Sequence, residues 1–469
     1  MKKVSVSALI LVISSLSILH SGVAQSNFNK YLPSSPGSDS CWQYVGTPGF
    51  SDGVATGTCL TFDNLGNLYL AFVDHEHLNH ASVMMYDGSA WSYVGTPGFT
   101  SGSVDYLSLN CDYFETPYIA YQDASNSWKA SVMKFNGTDW VLVGTPGISA
   151  GTAAYTSISF DDSQLPYVAY QDNGYSGKLC IRKFSGTFWV TIGNPGVSDG
   201  VAEYVNIVNN YGTPYVAYKD YANGGKATVR MLNGIDWIVV GISGFSGGSA
   251  DYLNLRFDYY GRPYVAFMDG SNSGKATVMT FRYGNWVNVG NPGFSPGMAA
   301  YTSLAIGYPN VPYIAFQDYP DSLNATLMTY NGTGWKTSGS ADFSDGHVYS
   351  TSLALNPAGL PFVAYSDSTW GFKAVVMKWD NVATKINEPE GSSFSLYPNP
   401  ATSAIIIVQN RDSGELISLE ILDGMGRKIS DKQMTGTKTL IDIENYPPGI
   451  YFVRFRSEKE SKVLKFCKE

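Results

Sequence analysis

The chain has 469 residues, enough for roughly two to four ordinary domains or one large repeat fold with additions. Only 15% of the residues are charged, 14% are aromatic and 49 are Gly, which excludes a disordered chain and a long coiled coil. The net charge of −9, with no large Lys/Arg cluster, excludes nucleic acid as an expected partner. This composition favours many short strands joined by tight turns.

The chain begins with the pattern of a secretory signal. Lys2-Lys3 precedes an apolar run over residues 4–19, and Gly22-Val23-Ala24 offers the small residues that signal peptidase requires. We predict a signal peptide over residues 1–24, followed by an N-terminal lead over residues 25–41. The apolar run is too short and too rich in Ser to span a membrane, so we expect an exported mature chain without a transmembrane segment.

From residue 42 onward, one sequence unit occurs seven times. Its Trp residues, 48 or 49 positions apart, are Trp42, Trp91, Trp140, Trp189, Trp237, Trp286 and Trp335. Asp residues recur in step with them at Asp74, Asp123, Asp172, Asp220, Asp269, Asp318 and Asp367. A period of this length is typical of propellers, solenoids and arrays.

Each unit has the pattern of four antiparallel strands. In the third unit we predict them over 154–160, 166–170, 178–184 and 189–193. In several units an Asn-Gly or Asp-Gly pair separates the third strand from the fourth, where a tight hairpin needs residues that tolerate positive φ. Repeated four-stranded units predict propeller blades.

The seventh unit lacks its fourth strand, because Thr384 stands where the next Trp is expected. We predict that residues 42–46 supply this strand, so that strand exchange closes a ring of seven blades over residues 42–384 and removes an exposed sheet edge. A linear array would need a capping unit, and the sequence offers none. The predicted fold is therefore an all-β, seven-bladed β-propeller. The unit resembles propeller-like repeats of secreted bacterial proteins, which implies a fold and not an activity.

After a linker over residues 385–393, strand-like runs in the last segment, residues 394–469, predict a small β-sandwich. Four motifs resemble the C-terminal sorting domain of the type IX secretion system of Bacteroidetes: Tyr397-Pro398-Asn399-Pro400, Asp423-Gly424-Met425-Gly426, Pro448-Gly449-Ile450-Tyr451 and Lys462-Val463-Leu464-Lys465. The resemblance implies the type IX secretion machinery as a partner, transport across the outer membrane, and removal of the domain with release or surface attachment. We therefore expect a monomer that is secreted or held on the outer cell surface. A plain sandwich that binds the propeller or a glycan is the alternative.

One face of the predicted propeller combines the links into the first strands with the hairpins between the second and third strands. It is expected to carry the seven Asp residues and, at the start of the first strand, Tyr106, Tyr155, Tyr204, Tyr252, Tyr301 and Tyr349. The linking loops would add Phe50, Phe99, Phe245, Phe294 and Phe343. Tyr rings beside carboxylates suit sugars or peptides, since rings cover C–H groups and Asp accepts from hydroxyls. The structural alternative is that each Asp caps its own turn or pairs with a Lys across the hairpin.

The His residues of the mature chain are concentrated in one sector of the ring: His75, His77, His80 and His347. Neutral imidazoles together with Asp74 and Glu76 would suit zinc or another divalent metal. Because alternating positions in an extended hairpin point apart, this metal site is a secondary hypothesis, and no other cofactor is expected.

The sequence contains no zincin motif and no phosphate loop. We therefore expect a non-catalytic exported scaffold that binds carbohydrate or protein. Two alternatives stay open: a hydrolase or lyase that acts on polysaccharide, because the repeated Asp residues offer many carboxylate pairs, and a purely structural surface protein.

Overall fold

Alternating apolar residues and frequent Gly turns produce an all-β chain in this computed structural model. The structure describes residues 42–308, 310–319, 323–379, 394–397, 401, 403–409, 417–423, 427–434, 438–447, 449–456 and 461–468. The predicted signal peptide (1–24), lead (25–41) and linker (385–393) lie outside the described residues.

Within the described part of residues 42–379, the chain forms seven four-stranded antiparallel sheets. Their strands are β1 (Trp42–Tyr44), β2 (Ala55–Phe62), β3 (Leu68–Asp74), β4 (His80–Tyr86), β5 (Trp91–Tyr93), β6 (Val104–Cys111), β7 (Pro117–Asp123), β8 (Lys129–Phe135), β9 (Trp140–Leu142), β10 (Ala153–Phe160), β11 (Pro166–Asp172), β12 (Lys178–Phe184), β13 (Trp189–Thr191), β14 (Ala202–Asn210), β15 (Thr213–Asp220), β16 (Lys226–Asn233), β17 (Asp236–Val239), β18 (Ala250–Phe257), β19 (Pro263–Asp269), β20 (Lys275–Arg282), β21 (Asn285–Asn288), β22 (Met298–Gly307), β23 (Val311–Tyr319), β24 (Ala325–Tyr330), β25 (Trp335–Thr337), β26 (Val348–Leu355), β27 (Pro361–Asp367) and β28 (Lys373–Trp379). Short 3₁₀ turns follow the second strand at Ala124–Asn126, Asn173–Tyr175, Tyr221–Asn223, Gly270–Asn272 and Ser368–Trp370.

The ring closes by strand exchange, as predicted. Six sheets consist of four consecutive strands, and the seventh has the order β1-β28-β27-β26. In it Trp42 pairs with Trp379 and Tyr44 with Met377. The first strands of successive sheets contact one another around the ring, and β2 contacts β26. The first and last parts of the repeat region are therefore held in one sheet, in which β1 covers the outer edge of β28 and takes the place of the missing fourth strand.

The repeated Trp ties each sheet to the preceding one at the outer rim. Its indole Nε1 donates a hydrogen bond to the backbone carbonyl that follows the preceding sheet's fourth strand. The pairs are Trp42–Ser338 (3.2 Å), Trp91–Val45 (2.7 Å), Trp140–Val94 (2.7 Å), Trp189–Val143 (2.7 Å), Trp237–Ile192 (3.0 Å), Trp286–Val240 (2.8 Å) and Trp335–Val289 (2.6 Å). Every junction of the ring therefore has the same polar link.

A Gly follows each accepting residue because two constraints meet there. Gly241 has φ +79°, and a Cβ added to it would lie 2.8 Å from Phe281 Cε2 and 3.2 Å from Trp286 Cδ1. A side chain would therefore suffer both an unfavourable backbone conformation and a clash with the neighbouring indole edge. This explains the Val-Gly that ends most units.

The Phe residues of the linking loops pack against the same indoles. Their rings stack at centroid separations of 3.6 to 4.4 Å in the pairs Phe343–Trp42, Phe50–Trp91, Phe99–Trp140, Phe245–Trp286 and Phe294–Trp335. Each ring covers a Trp within its own blade, which gives the five rings a structural role, and their contribution to a ligand face stays a prediction.

The C-terminal segment forms two antiparallel sheets. Their strands are β29 (Phe394–Tyr397), β30 (Ala404–Gln409), β31 (Ser418–Asp423), β32 (Lys428–Gln433), β33 (Lys438–Asp442), β34 (Gly449–Arg456) and β35 (Ser461–Lys468). The sheet orders are β29-β30-β33 and β32-β31-β34-β35. Ile407 and Ile441 of the first sheet share one buried cluster with Leu419, Val453 and Phe466 of the second. Two sheets that bury a common apolar layer confirm the predicted sandwich.

We expect Gly241→Ala to destabilise the propeller more than Gly234→Ala. Both positions have positive φ, which costs an Ala about 1–2 kcal/mol. A Cβ at Gly241 also clashes with Phe281 and Trp286, whereas one at Gly234 meets nothing within 4 Å. The clash should cost about 1–3 kcal/mol more. Urea denaturation of both variants measures the difference, and equal losses would show that the indole contact is unimportant.

Candidate functional site: the mouth of the central channel

Five Tyr residues occupy a β-bulge in the first strand of successive sheets. In the third sheet the register shifts between Ala154 and Ser157, so Tyr155 leaves the regular ladder. At all five positions the backbone is left-handed, with φ between +49° and +52°: Tyr106, Tyr155, Tyr204, Tyr252 and Tyr301. A bulky residue in this region costs on the order of 1–3 kcal/mol, and such strain concentrates at functional sites.

The five rings form a continuous fan, which we call the tyrosine arc. Successive ring centroids from Tyr106 to Tyr301 are 4.8, 5.1, 5.2 and 4.9 Å apart, and successive planes are rotated by 53°, 48°, 51° and 49°. Each rotation is close to one seventh of a full turn, so the arc follows the symmetry of the ring. The arc lines a cavity of about 260 Å³ together with side chains that include Asn206 and Ser350.

The tyrosine arc is interrupted in the seventh and first sheets. The equivalent left-handed positions are Ser350 (φ +53°) and Gly57 (φ +59°). Tyr349, which the sequence analysis places with the other Tyr residues, is therefore not a member of the arc. It stands one position earlier, remains paired with Ser366, and its ring lies 5.5 Å from that of Phe372. Five of the seven sheets therefore contribute an aromatic ring to the wall of the mouth. The other two contribute Ser or Gly, which leaves a low gap in the wall.

The hydroxyl groups of the arc are available as hydrogen-bond donors. Among the described residues, Tyr204, Tyr252 and Tyr301 have no hydrogen-bond partner for the hydroxyl. Burial raises the pKa of each of these phenols, and neighbouring Tyr252, Tyr155 and Asp251 raise that of Tyr204 further. The phenols therefore stay protonated at neutral pH, and each offers both a donor and an acceptor.

A charged cluster flanks the arc at the fourth and fifth sheets. Lys219 Nζ lies 2.6 Å from Asp251 Oδ1 and 3.7 Å from Glu203 Oε2, and the Tyr221 hydroxyl donates to Glu203 at 2.9 Å. The Lys219 ammonium is also 5.8 Å from the centroid of the Tyr204 ring. This cluster was not among the residues predicted from the sequence. The sequence feature that could have predicted it is a departure from the repeat, because Lys219 stands where other units have Gln122, Gln171 and Gln317.

The seven repeated Asp residues are buried and six of them cap their own turns, so their prediction as ligand-face residues is wrong. Each is at most 6% exposed. Asp269 is typical, since Oδ1 accepts from Ser271 N at 2.9 Å and Oδ2 accepts from Thr277 Oγ1 at 2.9 Å and Asn272 Nδ2 at 2.8 Å. A buried carboxylate needs such bonds, so these oxygens face the hairpin instead of the solvent. This bears out the structural alternative for Asp74, Asp123, Asp172, Asp220, Asp269 and Asp367.

The His residues have separate partners and form no metal centre. His77 Nδ1 lies 2.9 Å from Asp74 Oδ2, His75 Nε2 lies 3.0 Å from Thr56 Oγ1, and His80 Nδ1 lies 3.2 Å from Gly98 O. His347 donates its backbone N–H to Ser368 Oγ at 2.9 Å. In the part of the chain that the structure describes, no three His, Cys, Asp or Glu side chains are placed to bind a metal together. The divalent-metal hypothesis therefore has no support at His75, His77, His80 and His347.

The opposite end of the propeller carries a second aromatic group that the sequence analysis missed. It lies in the hairpins between the first and second strands, and each member is 63–79% exposed: Tyr113, Phe114, Tyr211, Tyr259, Tyr260 and Tyr308. Tyr259 and Tyr308 meet edge to face at 5.5 Å, and the Arg262 guanidinium lies 5.2 Å from the centroid of the Tyr260 ring. The sequence feature that could have predicted this group is the presence of aromatic residues at hairpin tips, where small turn residues are usual.

Residues 395–469 match the secretion system C-terminal sorting domain. This match confirms that the tail resembles the type IX sorting domain. The protein is therefore secreted or displayed at the cell surface. Within the described ranges, no helix is long and apolar enough to cross a bilayer.

The chain is also similar to several solved structures. One is the SapL1 lectin in complex with alpha methyl fucoside, with TM-score 0.44, 15% identity, and coverage of 62% of this chain and 98% of the lectin. Another is a PL25 polysaccharide lyase, an ulvan lyase, with TM-score 0.45, 13% identity, and coverage of 71% and 94%. A third is a protein of unknown function from Dyadobacter fermentans, with TM-score 0.39, 10% identity, and coverage of 72% and 98%. The ligands belong to those proteins. No curated protein sequence matches this chain.

We expect Asp269→Ala to unfold the protein more readily. The substitution leaves Ser271 N and the Asn272 and Thr277 side chains without their acceptor, which should cost about 3 kcal/mol. The matched control is Asp199→Ala, because the Asp199 side chain is 70% exposed and its loss should change stability by no more than about 0.5 kcal/mol. Urea denaturation compares the two, and equal stability would contradict the capping role.

We also expect stability to fall as the pH rises above about 10, the ordinary pKa of Tyr. Burial raises the pKa of Tyr218 to about 12 and raises the pKa of the arc phenols as well. The folded protein therefore keeps phenolic protons that the unfolded chain has lost, so the contribution of these phenols to the free energy of unfolding is complete below about pH 10 and decreases above it. Ultraviolet titration of phenolate in native and urea-unfolded protein measures the shift. Coincident curves would contradict it.

Proposed function

We propose that this exported protein is a non-catalytic carbohydrate-binding propeller whose binding site is the tyrosine arc at the mouth of the channel. The observation that carries the proposal is the strained backbone at the five arc positions. Gly would adopt this left-handed backbone conformation without strain, as Gly57 does at the equivalent position of the first sheet. Five bulky residues have an unfavourable backbone conformation, and all five direct their rings to one cavity. This supports the proposal that the rings are retained because they contact a ligand.

The chemistry of the arc suits a sugar. A pyranose presents C–H patches that pack on an aromatic face and hydroxyls that need donors and acceptors. The arc provides both from one residue type, because its rings are half-buried and its hydroxyls at Tyr204, Tyr252 and Tyr301 are free. Carbonyl and carboxylate oxygens at the rim add acceptors, among them exposed Asp105.

The shape of the mouth favours a short ligand. A cavity of about 260 Å³ is smaller than the roughly 300–1,000 Å³ of sites for drug-sized molecules. The low gap at Ser350 and Gly57 leaves one side of the aromatic wall open. This combination supports binding of a chain end or side branch, with the rest of the glycan leaving through the gap.

The charged cluster supports binding in preference to catalysis. Glu203 and Asp251 are the carboxylates that raise the pKa of Tyr204, the middle residue of the arc, and both are paired with Lys219. A general acid or base must be free to exchange its proton with the substrate. Paired carboxylates hold the rim in place and present their remaining oxygens to hydroxyl groups.

We expect Tyr204→Ala to weaken glycan binding at least about tenfold, because it removes the middle ring and a hydroxyl. The matched control is Tyr283→Ala. Tyr283 is also left-handed (φ +52°) but is fully exposed in a hairpin at the outer rim. A glycan array with the exported protein identifies ligands, and calorimetry of the best ligand compares the variants. Tyr204→Phe, which keeps the ring, should lose less affinity.

Three results would contradict the proposal. Binding that survives Tyr204→Ala but is lost in Tyr259→Ala would place the site at the opposite end. Release of new reducing ends or unsaturated products from a bound polysaccharide would make the protein an enzyme. Failure to bind any glycan would favour a structural role.

A further inference from the structure

The central channel beyond the tyrosine arc contains one cation and no anion among its described lining residues. This second cavity, of about 400 Å³, is lined by first-strand residues of all seven sheets, and Arg256 is the single charged residue in the lining. Asn206 lines both cavities, so the channel site lies next to the mouth. The remaining lining is hydroxyl, amide and apolar.

Arg256 has no carboxylate partner in the part of the chain that the structure describes. Its Nη1 donates to Leu255 O at 2.7 Å and to Asn206 Oδ1 at 3.2 Å, which leaves most of its five donors unused. The side chain is partly exposed to the channel, yet desolvation by burial lowers its pKa. Arg256 also departs from the repeat, because Asn110, Ser159 and Ala305 occupy the equivalent position.

Hydroxyl groups in the same channel have unused protons. Three Ser side chains accept a backbone N–H from the next sheet: Ser108 from Ile158 at 3.2 Å, Ser157 from Ile207 at 3.1 Å and Ser159 from Asn209 at 2.9 Å. None of the three donates a hydrogen bond to another described residue. A hydroxyl whose oxygen is already an acceptor can still donate its proton to a ligand.

We propose that the central channel binds an oxyanion at Arg256, held by the guanidinium and the Ser hydroxyls. A planar guanidinium matches carboxylate, sulfate and phosphate oxygens in pairs. An unpaired charge in a poorly solvated channel is costly, and a bound anion offsets that cost. The anion is either a free inorganic ion or an acidic substituent of a ligand that enters through the mouth. The free-ion case does not depend on the proposed sugar binding.

Calorimetric titration of the full exported chain with sodium sulfate, at constant ionic strength set with sodium chloride, tests the site. We expect saturable binding near one sulfate per chain. Arg256→Gln should weaken it at least about tenfold. Arg282→Gln is the matched control, because Arg282 is exposed and donates to the Tyr264 hydroxyl at 2.9 Å, and it should leave the affinity unchanged.

The outcomes separate the alternatives. Absence of saturable sulfate binding, or equal affinity in the wild type and Arg256→Gln, would overturn the proposal. If Arg256→Gln does not fold, Arg256→Lys keeps the charge but loses paired recognition, so its affinity should fall severalfold, and an unchanged affinity would count against the site. With a sulfated monosaccharide as the probe, loss of binding in both Tyr204→Ala and Arg256→Gln identifies a ligand substituent. Free sulfate should respond to Arg256→Gln alone.

Discussion

The hydrogen bond from each repeated indole to the carbonyl of the preceding sheet is the interaction on which this ring depends. Four-stranded sheets pack face to face by apolar contact, which is strong but has little direction. The Trp–carbonyl link adds direction at the outer rim of all seven junctions. It also dictates the Gly beside it, since any Cβ would meet the indole edge. The junction made by Trp42 is part of this set, so strand exchange and rim linkage close the ring together.

A rigid ring can hold strain at its centre. The bulges that carry the tyrosine arc are locked across the junctions, since Thr156, Thr302 and Thr351 donate side-chain hydrogen bonds to the carbonyls of Tyr106, Tyr252 and Tyr301. The unfavourable φ of each Tyr is thereby tolerated, because the surrounding sheets over-determine it. The outer rim and the channel mouth are linked in this way: repeated structural residues maintain the ring, and the bulges direct five rings to one cavity.

The departures from the repeat mark where the molecule is specialised. Ser350 and Gly57 open the aromatic wall, Lys219 brings charge to one side of it, and Arg256 brings charge to the channel. By contrast, the Trp and Asp residues that recur in every unit and the Phe residues that recur in five of them have structural roles. The Asp residues cap turns, and the Phe residues of the linking loops stack on Trp. A residue that recurs in every blade usually stabilises the blade itself.

The sequence by itself determined the period, the four strands of each unit, the exchanged strand and the C-terminal sandwich, because alternation, turn residues and spacing are local properties of the chain. The identity of the tail was also local, since its motifs are short. Only the tertiary structure decided which side chains share the mouth. A bulge shifts the register by one position, so Ser350 rather than Tyr349 continues the arc, and spacing alone does not reveal that shift. The Asp residues are buried, and the His residues have separate hydrogen-bond partners. Neither outcome is visible in the sequence, because both depend on neighbours that are distant along the chain.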